Sequence, residues 1–200
     1  MNADVTTYDG QLGIVLFLDE STEHRAIQIA TKYKNGNSID LGGLHTPHVT
    51  LYHSKLGGLP NNVVDRLLDI IIAMLPTSLT FTQVSQFGGK FLFWDIERSE
   101  VLLEAHNCAL ELSKYFVRIG EQQPDKEKIN LSVLESANVK TFGHPFVRDL
   151  WRPHVTIGYY SDGAPQEIRT EGFSGRAVGV AFVRVGEAGT IKEIITQRTL

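Results

Sequence analysis

A chain with one cysteine cannot close a disulfide on itself, and Cys108 is the only cysteine in 200 residues. It sits in an apolar, helix-patterned stretch, so it reads as a buried structural thiol in a reducing compartment. A basic excess is also missing. Charged residues make up 21% and the net charge is -4, which excludes the broad cationic surface that wraps long nucleic acid. Any nucleotide ligand is then small, or held at one end. No apolar run reaches membrane-spanning length, because the longest, Val63 to Leu75, is broken by Asp65, Arg66 and Asp69. Met1 to Gly10 is polar and contains Asp4 and Asp9, unlike a signal or transit peptide. These absences lead to an expected soluble, cytoplasmic monomer with no membrane partner. What is present is 42% hydrophobic content, enough for one core and one domain over residues 1–200.

Hydrophobic period organises the chain. Leu12 to Leu18 reads as a central strand, and Thr22 to Lys34 as a helix closed by Asn35-Gly36-Asn37. From His48 to Tyr52, Val49 and Leu51 alternate with His48, Thr50 and Tyr52, which puts the polar set on one strand face. Val63, Val64, Leu67, Leu68, Ile71, Ile72 and Leu75 fall at helical spacing between Pro60 and Pro76. Leu79 to Phe87 and Lys90 to Ile96 flank Gly88-Gly89 as a hairpin, and Ser99 opens a second long helix, the third in all, whose stripe runs to Phe116. Between Gly120 and Leu150 the pattern weakens to one short helix within Ile129 to Ala137. His154 to Tyr160 is a strand, and Ala177 to Val185 with Ile191 to Ile195 forms a closing hairpin. Strands and helices alternate in two comparable runs, as expected of an α+β protein of two similar lobes.

Pro47-His48-Val49-Thr50-Leu51 returns as Pro153-His154-Val155-Thr156-Ile157. Proline and histidine occur only seven times each, so their shared recurrence in two strand patterns is informative. Two such strands can bring two imidazoles to opposite sides of one phosphorus. One ring takes the proton of the attacking oxygen while the other protonates the leaving oxygen, and histidine suits both roles near neutrality. Thr50 and Thr156, two residues on, can donate to the non-bridging oxygens. Such a pair predicts a bell-shaped pH dependence centred near neutrality.

These paired His-x-Thr strands resemble the 2H phosphoesterase superfamily, in particular its 2′-5′ RNA ligase and cyclic phosphodiesterase branch. The opening strand Leu12 to Asp19 and the closing segment around Val183 to Thr190 are also similar to that family's ends. The resemblance implies a bilobal, pseudo-two-fold fold with two antiparallel sheets lining a central cleft and helices outside. It implies catalysis by His48, Thr50, His154 and Thr156 on 2′,3′-cyclic phosphate ends of RNA or nucleotides, without metal. Ligation of 2′-5′ RNA, hydrolysis of 2′-5′ linked or cyclic oligonucleotides, and non-catalytic nucleotide binding are the alternatives. Some members carry an arginine three residues after the second threonine. Here that position is Tyr159, and His53 is its equivalent after the first motif.

Candidate substrate contacts are therefore Tyr52, His53, Tyr159, Phe93 and Arg152. Strand parity favours Tyr52, whereas His53 and Tyr159 reach the same face only if their strands end or bulge. Phe91, Phe93 and Trp94 fit base stacking and core packing equally well. Arg152, Lys55 and Lys90 can add positive potential or lie on solvated surface. A metal built from His45, His48 and His53 is the competing chemistry. Pro47 interrupts a helical His-x-x-His arrangement and no acidic or cysteine ligand lies near, so no metal or other cofactor is expected. His24, His106 and His144 carry no such pattern and read as structural.

Overall fold

Elements form where side-chain period and end signals agree. The structure, a computed structural model, describes residues 5–7, 10–117, 131–165 and 172–200. In chain order these are β1 (Val5–Thr6), β2 (Gln11–Leu18), α1 (Glu20–Lys32), β3 (His48–Lys55), β4 (Leu59–Pro60), α2 (Asn61–Ile72), β5 (Thr77–Phe87), β6 (Phe91–Ile96), α3 (Glu100–Ala109), α4 (Val133–Phe142), β7 (His154–Tyr159), β8 (Phe173–Val185) and β9 (Ile191–Thr199). Asp19 caps α1 by accepting from Thr22 N at 3.0 Å, and Ser99 caps α3 from Leu102 N at 3.3 Å. The stripe expected to reach Phe116 as one helix instead tightens into a 3₁₀ segment over Leu110–Tyr115. The short helix expected within Ile129 to Ala137 runs from Val133 to Phe142; Ile129 lies outside the described residues. Ser132 and Glu135 form a capping box at its start, and Gly143 ends it at φ 71, a left-handed position that glycine takes at no steric cost.

All strand pairings are antiparallel. Seven strands pair as one system, β2-β3-β7-β6-β5-β8-β9, which divides into two sheets, β9-β8-β2-β3 and β7-β6-β5-β8. The long strand β8 belongs to both: Phe173 to Ala177 pair with β5, and Ala177 to Val185 pair with β2. At the opposite side the sheets touch through one bridge, Val49 with Val155, between β3 and β7. Pairing thus runs in a closed circuit, β2-β3-β7-β6-β5-β8 and back to β2. The helices cover the outside, α1 against β7 and β8, α2 against β8 and β9, and α3 against β3 and α2. This is the bilobal α+β arrangement with the motif strands adjacent at its centre. Among the described residues, no helix is long and apolar enough to cross a membrane.

A continuous apolar core joins the inward residues of both sheets to the helices, through Leu16, Ile29, Leu51, Leu68, Phe81, Trp94, Ile157 and Phe182 among others. Trp94, one of the three aromatics open to a base-stacking reading, is fully buried here and stacks on Phe81 at 3.8 Å. Replacing a buried aromatic leaves a cavity that packed surroundings do not refill. Trp94→Ala is expected to lower unfolding stability by about 3–5 kcal/mol, measured by urea denaturation. A loss below about 1 kcal/mol would show that Trp94 does not hold this core.

Candidate active site

Pairing of Val49 with Val155 sets the geometry. In an antiparallel bridge, the residues on either side of the pair face each other in turn, so His48 lies across from Thr156 and Thr50 across from His154. Val49 and Val155 are fully buried, which turns all four polar side chains to the opposite, half-exposed face. The two histidines are then diagonal neighbours, a spacing of roughly 7–8 Å. Consistent with this proximity, His154 feels the charge of His48.

Each imidazole is oriented by its own chain. Nδ1 of His48 lies 2.8 Å from Thr46 O, and Nδ1 of His154 lies 2.7 Å from Arg152 O, in both cases the carbonyl two residues back. A carbonyl only accepts, so both Nδ1 atoms carry hydrogen and both Nε2 atoms are left for chemistry. The rings then differ. Nε2 of His48 faces Gly189 O at 3.2 Å, and only the imidazolium satisfies both carbonyls at once. Nε2 of His154 meets no hydrogen-bonding partner among the described residues, as suits a neutral base. Burial pushes His154 down to about 4, opposed by its bond to Arg152 and by the Asp95 charge. Burial also lowers His48, while Thr46 and Gly189 pull the other way. The Gly189 carbonyl is presented by a turn in which Ala188 and Gly189 both have positive φ, at 52 and 78. Gly189 also lines a hollow of about 690 Å³ with Gln11, His45, Glu187 and Lys192.

Both motif strands carry a β-bulge immediately after the threonine. Against β2, Thr50 pairs with Val15 but Tyr52 with Ile14, so Leu51 is the extra residue. Against β6, Thr156 pairs with Phe93 but Gly158 with Leu92, so Ile157 is the extra residue. A bulge shifts the alternation by one. This overturns the parity reading of Tyr52: its side chain turns into the core, 2% exposed, and its hydroxyl donates to Phe142 O at 2.5 Å. His53 and Tyr159 take the half-exposed side instead. His53 Nδ1 is 3.1 Å from Gln11 Oε1, its ring meets His144 edge-on at 4.4 Å, and burial pushes it down to about 3.

Aromatic rings form a band from one motif strand to the other. Tyr159 packs on Phe91 at 4.8 Å, Phe91 on Phe93 at 5.7 Å, Phe93 on Phe87 at 5.1 Å and Phe87 on Phe146 at 5.0 Å. His144 closes the run, 5.9 Å from Phe146 and against His53. Phe93 itself stacks on His154 at 3.6 Å. Arg152 donates to Asp95 Oδ2 at 2.6 Å and to Ser85 Oγ at 2.5 Å, leaving its side chain 41% exposed beside His154. Asp95 pairs with His154 in register, and its Oδ1 is buried without a partner among the described residues. Lys55 and Lys90 are exposed. His45, His48 and His53 do not converge: among the described residues no group of three potential ligands is placed to hold a metal.

Sequence patterns do not single out Asp95, Phe87, His144, Phe146 or Asn37. Alternation along β6 carries a signal for Asp95, which shares the parity of Phe91 and Phe93. The others reach the site through tertiary contacts that no local pattern announces.

A sequence profile of the 2′-5′ RNA ligase superfamily matches residues 20–187 of the chain. Among solved structures, TT0787 of Thermus thermophilus is similar with a TM-score of 0.61 and 17% identity, covering 95% of this chain and 97% of that one. A protein described as a phosphoesterase gives 0.56 and 14%, over 96% and 99%. E. coli LigT complexed with 3′-AMP gives 0.55 and 12%, over 98% and 99%. No curated protein matches the chain in sequence.

Burial of uncharged histidines makes stability depend on pH. Burial pushes His53 to about 3 and His106, His144 and His154 to about 4, from an ordinary 6.5. Above 6.5 these rings are neutral folded or unfolded. As pH falls from 6.5 toward 4 the unfolded chain takes up protons that the fold refuses, so stability is lost across that window. The urea midpoint is expected to be lower at pH 5 than at pH 7; equal midpoints would show that these rings are not held neutral.

Proposed function

Because the chain belongs to the 2′-5′ RNA ligase superfamily, matched over residues 20–187, we propose that it is a metal-independent phosphodiesterase that opens 2′,3′-cyclic phosphates on nucleotides or RNA ends. The observation that carries this reading is the Val49–Val155 bridge, which gathers two imidazoles and two threonines on one face.

The step follows from the tautomers. A water oxygen attacks phosphorus while Nε2 of His154 takes its proton. The bond from phosphorus to one ribose oxygen breaks opposite the attack, and Nε2–H of His48 turns from Gly189 O to protonate that oxygen. Water is added across one P–O bond, and a second proton exchange restores both rings. Thr50 and Thr156 donate to the non-bridging oxygens as charge builds there. Arg152, half-exposed and fixed by Asp95 and Ser85, supplies positive potential next to His154 in place of the arginine that Tyr159 replaces. Tyr159 and Phe91 offer a face on which a base can stack. E. coli LigT has been solved with phosphate and with 3′-AMP, which supports a ligand of this size and charge in the same fold.

Turnover should be tested on nucleoside 2′,3′-cyclic phosphates beside 2′-5′ and 3′-5′ dinucleotides, with the cyclic phosphates expected to react fastest. Preference for the 2′-5′ dinucleotide would move the assignment to that linkage. His48→Ala or His154→Ala should lower kcat by about 10²- to 10⁴-fold, and Thr50→Val or Thr156→Val by less. Wild-type turnover in both histidine variants would falsify the mechanism, as would loss of activity to a chelator with rescue by a divalent ion. With both rings pulled below 6.5, the kcat/KM bell should lie on the acid side of that value, below the neutral centre that free imidazoles suggest. The kcat bell should sit higher, because a bound phosphate favours imidazolium.

A further inference from the structure

Beyond Val155, strand β7 loses its neighbour β3 and bares one edge. Backbone groups there must find other partners. Asn37, in the connection between α1 and β3, supplies them. Its Nδ2 donates to the carbonyl of the bulged residue Ile157 at 3.0 Å. Its Oδ1 accepts from Tyr159 N at 3.1 Å and from Ile39 N at 2.9 Å. Ser38 adds two donors to Tyr159 O, its N at 2.9 Å and its Oγ at 3.2 Å. The approach is close: a Cβ on Gly158 would lie 2.8 Å from Asn37 Nδ2 and 2.9 Å from Tyr160 Cε2, so only glycine fits between the two bonds.

We propose that Asn37 is a positioning residue that sets nucleotide affinity by holding the β7 bulge, and with it the Tyr159 ring, on the cleft side. The proposal rests on the phosphodiesterase reading for the identity of the ligand. An amide is required because the site needs one donor and one acceptor on the same planar group, which neither aspartate nor leucine provides. His154 and Thr156 precede the bulge and are held separately, by Arg152 O and by pairing with β6. Loss of Asn37 therefore moves the residues beyond the bulge and leaves the acid/base face in place. The first motif has a counterpart of different make. There the carbonyl of Leu51 accepts from His106 Nδ1 at 2.6 Å, Thr50 O accepts from Trp151 Nε1 at 3.2 Å, and His106 Nε2 accepts from Arg148 N at 3.0 Å. His106 is fully buried and stacked on Trp151 at 4.3 Å, so changing it would unsettle the core as well. Asn37 is half-exposed and separates positioning from folding.

The test is a double-mutant cycle on the full chain, with 3′-AMP binding read by titration calorimetry and turnover read on adenosine 2′,3′-cyclic phosphate. Tyr159→Ala is expected to weaken 3′-AMP by roughly tenfold, the usual worth of one stacked ring. Asn37→Ala should weaken it by a similar factor and raise KM, with kcat within about threefold of native. Asn37→Asp, which keeps the acceptor and loses the donor, should fall between native and alanine and guards against poor folding of the alanine variant. The double variant should bind no worse than Tyr159→Ala alone, because Asn37 acts through that ring. A merely structural asparagine would give effects that add. Additive losses, unchanged affinity in Asn37→Ala and Asn37→Asp, or a fall in kcat with KM unchanged would each overturn the proposal. If the native protein hydrolyses no cyclic phosphate yet binds 3′-AMP, the proposed activity fails and the cycle still decides Asn37. If it binds no 3′-AMP, both readings fall.

Discussion

Two strands that touch at one residue pair and then part impose most of what is distinctive here. Had β3 and β7 paired along their length, the sheets would be continuous and no cleft would open. Had they not met, nothing would hold the two imidazoles on one face. The bridge between Val49 and Val155 gives the intermediate case. It also creates two bared strand edges, and buried edges must be satisfied. The two lobes meet that demand by different means, a surface amide at Asn37 in one and a buried imidazole with an indole, His106 and Trp151, in the other. The pseudo-symmetry of the motif thus extends to the bulge and stops at the side chains that hold it.

The chemistry inherits an asymmetry from its surroundings. Each ring is held through Nδ1 by a carbonyl two residues back, so neither can swap tautomer without breaking that bond. Among the described residues only His48 has a second carbonyl on Nε2, which favours its imidazolium, whereas His154 is stacked on a phenyl face and burial outweighs the carboxylate across the strand. Equal residues in equal motifs are thereby biased toward different protonation states, the arrangement an acid/base pair needs.

Much of this is legible in the sequence alone. The alternating runs mark the strands and the two long amphipathic helices, and the repeated Pro-His-x-Thr string points to the two strands that meet. Parity fails beyond the threonine. Counting in twos places Tyr52 on the cleft face, but Leu51 is an extra residue opposite β2, and the count shifts there. A bulge belongs to a pair of strands, so one strand's sequence does not reveal it. Asn37 is legible only as part of a turn, because its partners Ile157 and Tyr159 lie in a strand distant along the chain. Trp94 and Phe93 are adjacent and chemically alike, yet one fills the core and the other lies on His154, a division settled by which face of β6 each occupies.

Strand β8, shared by both sheets, closes the pairing circuit on the side away from the bridge. Hinged enzymes shut on a ligand by rotating one lobe against the other about a few loop residues. Here such a rotation would have to tear ladder hydrogen bonds from β5 or β2 along a strand of thirteen residues. The spacing of the two imidazoles is accordingly set by strand pairing. On the proposed reading the pair takes a molecule by the span across its phosphate, with no change of shape in the protein.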